Sequence, residues 1–287
     1  MRGKGRGLFI ALYLLPAALF YGLFVMVPFA QTAYLSTFNF SGLSSNRRSV
    51  GGRYYSALMR DEVFLQAIKN VGFILVIGGL AVIIIGLLMG HAVQIKGRLG
   101  GFLRAIYLFP QVISVVAVAV IWQFMYARQG GLILGGGENG WLGDTKTALP
   151  AVTIAWIWFA VGFYIMLFSA GIKNIPQEVH EASELEGCHG WTKFTKVTWP
   201  LLFQIRKIAI MYVVINVMNI FALVNVMTDG GPDRHTESLL TYLYETAFRS
   251  TKMGYASALA VVNFFIIIVI AMIINWLYRR DPQEGRA

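Results

Sequence analysis

Asn70–Ile95 reads NVGFILVIGGLAVIIIGLLMGHAVQI, twenty-six residues without an Asp, Glu, Lys or Arg. About 20 consecutive apolar residues in an α-helix cross a bilayer's hydrocarbon core. An amphipathic helix of a soluble domain would instead interleave charge every few residues. Five more charge-free stretches of that length follow the same rule: Gly7–Asn46, Ala105–Ala127, Thr147–Ile172, Ile208–Thr228 and Met253–Tyr278. All 24 Lys/Arg and all 14 Asp/Glu lie outside these six stretches. The runs are continuous, whereas transmembrane β-barrels need alternating segments of about ten residues. The expected fold is therefore an all-α integral membrane protein of six transmembrane helices. Their expected extents are Leu8–Leu35, Val71–Val93, Ala105–Tyr126, Ala151–Ala170, Ile208–Val226 and Tyr255–Tyr278.

Composition agrees. The 287 residues are 57% hydrophobic and 13% charged, where soluble chains run about 45–50% and about 25%. Too little polar surface remains to cover a soluble domain, and 14% aromatic content argues against disorder. The single cysteine, Cys188, excludes an intrachain disulfide and a cysteine zinc cage. A net charge of +10 comes from scattered residues with no run longer than two, which argues against nucleic acid and for membrane orientation. With the N-terminus inside, fourteen of the 24 Lys/Arg face the cytoplasm and ten face out. Both termini are thus expected to be cytoplasmic. The margin is narrow because the first outer loop holds Arg47, Arg48, Arg53, Arg60 and Lys69. The first apolar run is too long for a signal-peptide core and is expected to be retained.

Three parts follow: 1–35, the N-terminus and first helix; 36–70, an external loop; and 71–287, the remaining helices. Within the last, the inner connection 171–207 is the longest polar stretch. Asn174-Ile175-Pro176-Gln177-Glu178 reads as a helix start. The run to Glu186 carries Glu178, Glu181, Glu184 and Glu186, Gly187 and Gly190 mark a bend, and Trp191–Trp199 closes at Pro200. Such a helix–turn–helix must protrude from hydrocarbon. It has the form of a docking element for a soluble partner or of a solvated connector.

Here the residues resemble a known family. Glu181-Ala182-Ser183, three residues, Gly187, and later Trp199-Pro200 are similar to the cytoplasmic loop motif of permeases from bacterial ATP-binding-cassette importers. Ser183, Glu186, Cys188 and Trp199 depart from that pattern. Thr228-Asp229-Gly230-Gly231-Pro232, Thr236-Glu237, Tyr242-Leu243-Tyr244, Ala247-Phe248 and Gly254-Tyr255-Ala256-Ser257-Ala258 resemble the outer loop and last helix of carbohydrate-importer permeases, the branch of the larger maltose-permease subunit. Pro110-Gln111-Val112, Ile121-Trp122, Ala148-Leu149-Pro150-Ala151, Leu14-Leu15-Pro16 and Ser36-Thr37-Phe38-Asn39-Phe40 fit too, so the likeness covers nearly the whole chain.

The resemblance implies a bacterial inner-membrane subunit paired with a second, homologous permease, two ATPase subunits and an external sugar-binding protein, carrying a carbohydrate. It makes Glu181, Ala182, Ser183 and Gly187 the ATPase-coupling residues. The residues themselves agree on one point: no Gly-x4-Gly-Lys-Ser/Thr phosphate loop occurs, so energy must come from another polypeptide or an ion gradient. None of the six stretches holds the Asp, Glu, Lys or Arg that ion-driven carriers place at membrane depth, and His91 sits at the inner end of the second. A secondary carrier or channel for small polar solutes stays open as the alternative. No catalytic triad, metal-ligand cluster or cofactor motif occurs, and an enzymatic role is not expected.

A neutral sugar calls for hydroxyl or amide hydrogen bonds and aromatic stacking. Tyr212, Asn216 and Asn219 fall on one helical face. They face either a cavity or a neighbouring helix, and the resemblance favours the cavity. Trp156, Phe159 and Phe163 share a face of the fourth helix, as a sugar platform or as packing. Asn263 in the sixth joins the pocket or bonds across helices.

Overall fold

A computed structural model describes residues 4–43, 46–92, 98–133 and 139–279. The expected end of the second helix at Val93 and the outermost residues of both termini lie outside the described residues. Nearly all regular structure is helical, and contacts divide the chain into two units, Met1–Asp61 with Leu243–Phe264 and Glu62–Tyr242 with Phe265–Ala287.

In the first unit the apolar helix Leu12–Leu35 is 24 residues long. It meets a two-stranded antiparallel hairpin in which Phe38 pairs with Ser49 and Asn39 with Arg48. A short helix, Arg53–Leu58, follows. The start of the helix Met253–Leu277 completes the unit. There Gly254 N donates to Phe40 O at 3.1 Å, and a Cβ on Gly254 would run into the Phe38 carbonyl. Tyr255 lies edge-on to Tyr54 with centroids 5.4 Å apart, and its hydroxyl donates to Asp61 Oδ2.

The second unit is organised on two long helices, Glu62–Ala92 and Ala148–Lys173. More than half of the latter's apolar window, 56%, is buried, which makes it the hub of the unit. Small residues set the approach, as expected where lipid offers no hydrophobic drive for helices to associate. A Cβ on Gly86 would lie 2.7 Å from Tyr164 Cβ, and one on Gly90 would lie 3.0 Å from Ser169 N. On another face, a Cβ on Gly162 would overlap the Tyr107 carbonyl oxygen.

Among the described residues, four helices are long and apolar enough to cross a membrane, or up to six if each of two bent pairs counts as one crossing. Helix limits depart from the expected ones for physical reasons. The second helix starts at Glu62 rather than Val71 and carries Lys69, because absence of charge marks hydrocarbon and not the end of hydrogen bonding. The third, expected as continuous, is broken into Gly100–Val112 and Val115–Met125 with a 97° bend. Pro110 removes a backbone donor just before the break, and Ser114 turns out to an extended ψ of 135°. The fifth starts at Phe203, breaks after Met218, and resumes as Ala222–Met227. Asn216 Nδ2 donates to Tyr212 O at 2.9 Å and Asn219 Nδ2 to Ile215 O at 2.8 Å. These side-chain donors compete with backbone amides for the last carbonyls of the helix.

Because Gly162 meets backbone rather than a movable side chain, Gly162→Val is expected to destabilise the detergent-purified protein by about 2–3 kcal/mol. Thermal unfolding by intrinsic fluorescence checks it. Gly22→Val, where a Cβ meets nothing within 4 Å, should leave the midpoint unchanged.

Candidate functional site

The polar inner connection folds as two helices, Gln177–Leu185 and Gly190–Leu201. Pro176 occupies the N-cap position, with Glu178 in the first turn near the positive end of the helix. The first helix ends in a Schellman turn: Cys188 N donates to Ser183 O at 2.9 Å and Gly187 N to Glu184 O at 3.0 Å. Gly187 has φ +80°, the left-handed conformation that this turn needs and that a side chain penalises. Nothing lies within 4 Å of a Cβ there, so the requirement for glycine is conformational within this chain.

Ser183 is buried, its Oγ donating to His180 O at 2.8 Å. Glu181 is exposed and accepts from Gln177 Nε2 at 3.2 Å, and Ala182 is exposed beside it. The outer face continues to Leu185, 91% exposed, and Trp191 is exposed and stacked on Phe194 at 5.2 Å. Sequence reasoning passed over both. A large apolar side chain three residues after Ala182, in a helix otherwise acidic, was the available signal. Ala182 also borders a groove of about 900 Å³, lined by Glu178, Glu186, Lys196, Trp199 and Arg206 among others. Arg206 lies over the Trp199 ring at 4.1 Å.

Electrostatics tie the two short helices together. Lys193 Nζ donates to Glu184 Oε1 at 2.7 Å, and that hydrogen bond and charge hold the Glu184 carboxyl below the usual carboxylate range. Burial pushes the His180 imidazole pKa down, and the neighbouring Lys193 adds to the effect.

The structure brings together part of the membrane-helix candidates. Phe163 and Tyr212 meet with ring centroids 4.2 Å apart, Tyr164 closing on Tyr212 at 6.3 Å. Tyr212 and Asn219 are exposed within this chain, with the half-buried Asn216 between them on the same face. With their amide donors held by the helix, the carbonyl oxygens of both asparagines accept no hydrogen bond among the described residues. Trp156 is not with them: it is buried against Gly78, whose Cβ would sit 3.1 Å from the indole. Phe159 is half-buried, and its carbonyl accepts from Gln111 Nε2 at 3.3 Å. Asn263 belongs to the other unit, where it is buried with Oδ1 unpartnered among the described residues.

The Thr228–Glu237 loop is held by a residue that no sequence motif singles out. Asn70 Nδ2 donates to both Arg234 O, at 3.0 Å, and Glu237 O, at 2.9 Å. The Glu237 carboxylate is buried, bound by Arg234 Nη1 at 2.7 Å and by the Thr241 hydroxyl.

Residues 82–280 match the family model described as binding-protein-dependent transport system inner membrane component. The chain is 30% identical to a probable ABC transporter permease protein, YurN, of Bacillus subtilis, over 95% of this chain and 97% of that one. It is 30% identical to the diacetylchitobiose uptake system permease protein NgcF of Streptomyces coelicolor, over 93% and 80%. Among solved structures, a chain of a bacterial ABC transporter involved in import of the acidic polysaccharide alginate superposes with a TM-score of 0.79. It shares 19% identity, and coverage is 97% of each chain.

His180 and Glu184 in the helix Gln177–Leu185 both have lowered pKa values, so the unfolded segment binds more protons and stability rises with pH. Their contribution is complete above the unfolded values and fades as pH falls, for His180 below about 6.5 and for Glu184 below about 4.5. Amides in 177–199, corrected for intrinsic exchange rates, should therefore lose hydrogen-exchange protection on moving from pH ~7.5 to ~5.5. His180→Gln should flatten that change.

Proposed function

The chain belongs to the family of binding-protein-dependent transport system inner membrane components, and from that premise we propose that it is the permease subunit of an ATP-driven sugar importer. It is a multi-pass membrane protein and a transport subunit. In this reading both termini face the cytoplasm, six helices cross the bilayer, and the chain forms half of the pathway beside a second, homologous permease. Two ATPase subunits supply hydrolysis, and an external sugar-binding protein delivers the carbohydrate.

One observation carries the reading. The helix Gly190–Leu201 bends by 72° into Phe203–Met218 across a single residue, Leu202. The inner docking segment and the Tyr212–Asn216–Asn219 face are thus two parts of one broken helix. The Gln177–Leu185 helix, with Glu181, Ala182 and Ser183 on it and Gly187 ending it, seats on the ATPase. ATP-dependent closure of the ATPases moves that seat, and the bend at Leu202 turns the movement into rotation of the face beyond it. Interdigitated packing keeps the transmission discrete rather than elastic.

The same face suits neutral cargo. Phe163 and Tyr212 present ring surface to the C–H faces of a sugar. Asn216 and Asn219 offer carbonyl acceptors to its hydroxyls, and no Asp, Glu, Lys or Arg lies between Lys207 and Asp229 to recognise a formal charge. The sugar class draws support from NgcF, whose name gives diacetylchitobiose as the solute of its uptake system. The alternative of a secondary carrier needs an ion site, and the six stretches offer no Asp, Glu, Lys or Arg to build one.

Proteoliposomes holding the full complex should take up sugar only with ATP and binding protein present; uptake driven by an ion gradient without ATP would overturn the reading. Asn216→Ala with Asn219→Ala should lower the transport rate about tenfold, a loss equivalent to about 1.4 kcal/mol, with assembly intact. Gly187→Asp, which strains the turn, should abolish sugar uptake while the subunit remains inserted.

A further inference from the structure

The hairpin between the first and second long helices holds charge that orientation in the bilayer does not explain. Basic residues favour the inner side, yet Arg47, Arg48 and Arg53 fall in the segment that the topology above places outside. The structure gathers them. Arg48 and Arg53, with Asn39, Ser49 and Val50, line a pocket of about 470 Å³. Both arginines are exposed, and neither is ion-paired among the described residues. Arg47, next in sequence, holds its guanidinium 4.8 Å over the Phe40 ring.

The backbone beneath them is well ordered by hydrogen bonds. Val50 N and Gly51 N both donate to Thr37 O, at 2.8 and 3.1 Å, and the helix Arg53–Leu58 starts directly after. The acid next along the chain, Asp61, is bonded to the Tyr255 hydroxyl. The hairpin is also fixed to the start of Met253–Leu277 through Gly254 N and Phe40 O. A pull on the arginines is therefore felt at the first turn of a membrane helix.

We propose that this arginine hairpin is a docking point for an acidic surface patch, Asp or Glu side chains, on the external sugar-binding protein. The inference rests on the importer reading above. Two guanidiniums beside a hydroxyl and an amide match carboxylates in bidentate geometry. A soluble partner that must arrive, deliver and leave gains most from exposed charge complementarity, which speeds encounter and fixes orientation without making release slow. An acidic cargo fits less well, because the membrane face carries no charge to receive it after the hairpin.

The test uses the complete complex in vesicles of zwitterionic lipid, with the binding protein that stimulates wild-type ATP hydrolysis as probe. Arg48→Glu with Arg53→Glu should raise the half-saturating concentration of binding protein about tenfold and restore the wild-type maximal rate at saturation. Arg48→Gln with Arg53→Gln should act in the same direction, more weakly. Wild-type half-saturation should rise with ionic strength, and that slope should flatten in both variants. Acid-to-Lys substitutions on the binding protein that restore affinity to the Glu variant would identify the facing patch. An unchanged half-saturation and salt slope overturns the proposal. So does a defect that follows anionic lipid content instead of binding-protein concentration, or one that appears only with carboxylate-bearing sugars. Absence of any stimulation in the wild type would instead sink the importer reading, leaving the two failures distinguishable.

Discussion

Inside hydrocarbon every backbone N–H and C=O must find a partner within the protein, and this constraint decides where the chain stays helical and where it breaks. Long helices satisfy it by themselves, but each interruption needs a substitute. At the break after Val112, Gln111 Nε2 reaches the Phe159 and Ala160 carbonyls of the hub helix. At the break after Met218, Asn216 and Asn219 turn their amides onto carbonyls of their own helix. Polar side chains at these positions are thus part of the helix framework before they are anything else. What they leave over, notably the two asparagine carbonyl oxygens, accepts no hydrogen bond among the described residues.

The same reasoning explains which parts of the fold were legible in the sequence. The apolar spans were readable because charge is costly in hydrocarbon, and that cost excludes Lys and Glu whatever the tertiary arrangement. Helix ends were less readable, since hydrogen bonding continues past the membrane surface: Glu62–Asn70 is helical although it carries charge. Breaks were not readable at all from hydropathy. Trp156 shows a further limit. Helical spacing groups Trp156, Phe159 and Phe163 on one face, but it cannot say which neighbour covers each part of that face. Gly78 lets the second helix come close enough to bury Trp156, while Phe163 remains free to meet Tyr212.

The inner segment was legible in more detail because its signals are local. Pro176 at the start, four carboxylates along the run and Gly187 at the end each act through the nearest turn of backbone, and the helix Gln177–Leu185 follows them closely. Leu185 and Trp191 were missed for the opposite reason. Exposure of a large apolar side chain is a property of the folded surface, and a sequence pattern alone assigns such residues to the interior. Leu185 ends the acidic helix and Trp191 lies at the start of the next, each an exposed apolar side chain.

Motion in such a subunit requires that most of it resist deformation, and the Thr228–Glu237 loop shows how one end of the second unit achieves this. Asn70 bonds two carbonyls of that loop at once, and Glu237 is buried with its charge met by Arg234 and the Thr241 hydroxyl. An ion pair with a buried carboxylate and a part-exposed guanidinium adds little net stability, because desolvation of the carboxylate offsets much of the attraction. Its consequence is directional: Glu237 cannot move without carrying its charge away from Arg234 Nη1 and the Thr241 hydroxyl. The loop is therefore held to the second long helix as a fixed end. Between it and the inner segment the chain offers two flexures, at Leu202 and at Asn219–Phe221, where backbone angles leave the helical range. The stretch Phe203–Met218 between them carries Tyr212 and Asn216, with Asn219 at its end. Any displacement of Phe203–Met218 between these two bends carries Tyr212 and Asn216 together, because one unbroken helix holds them.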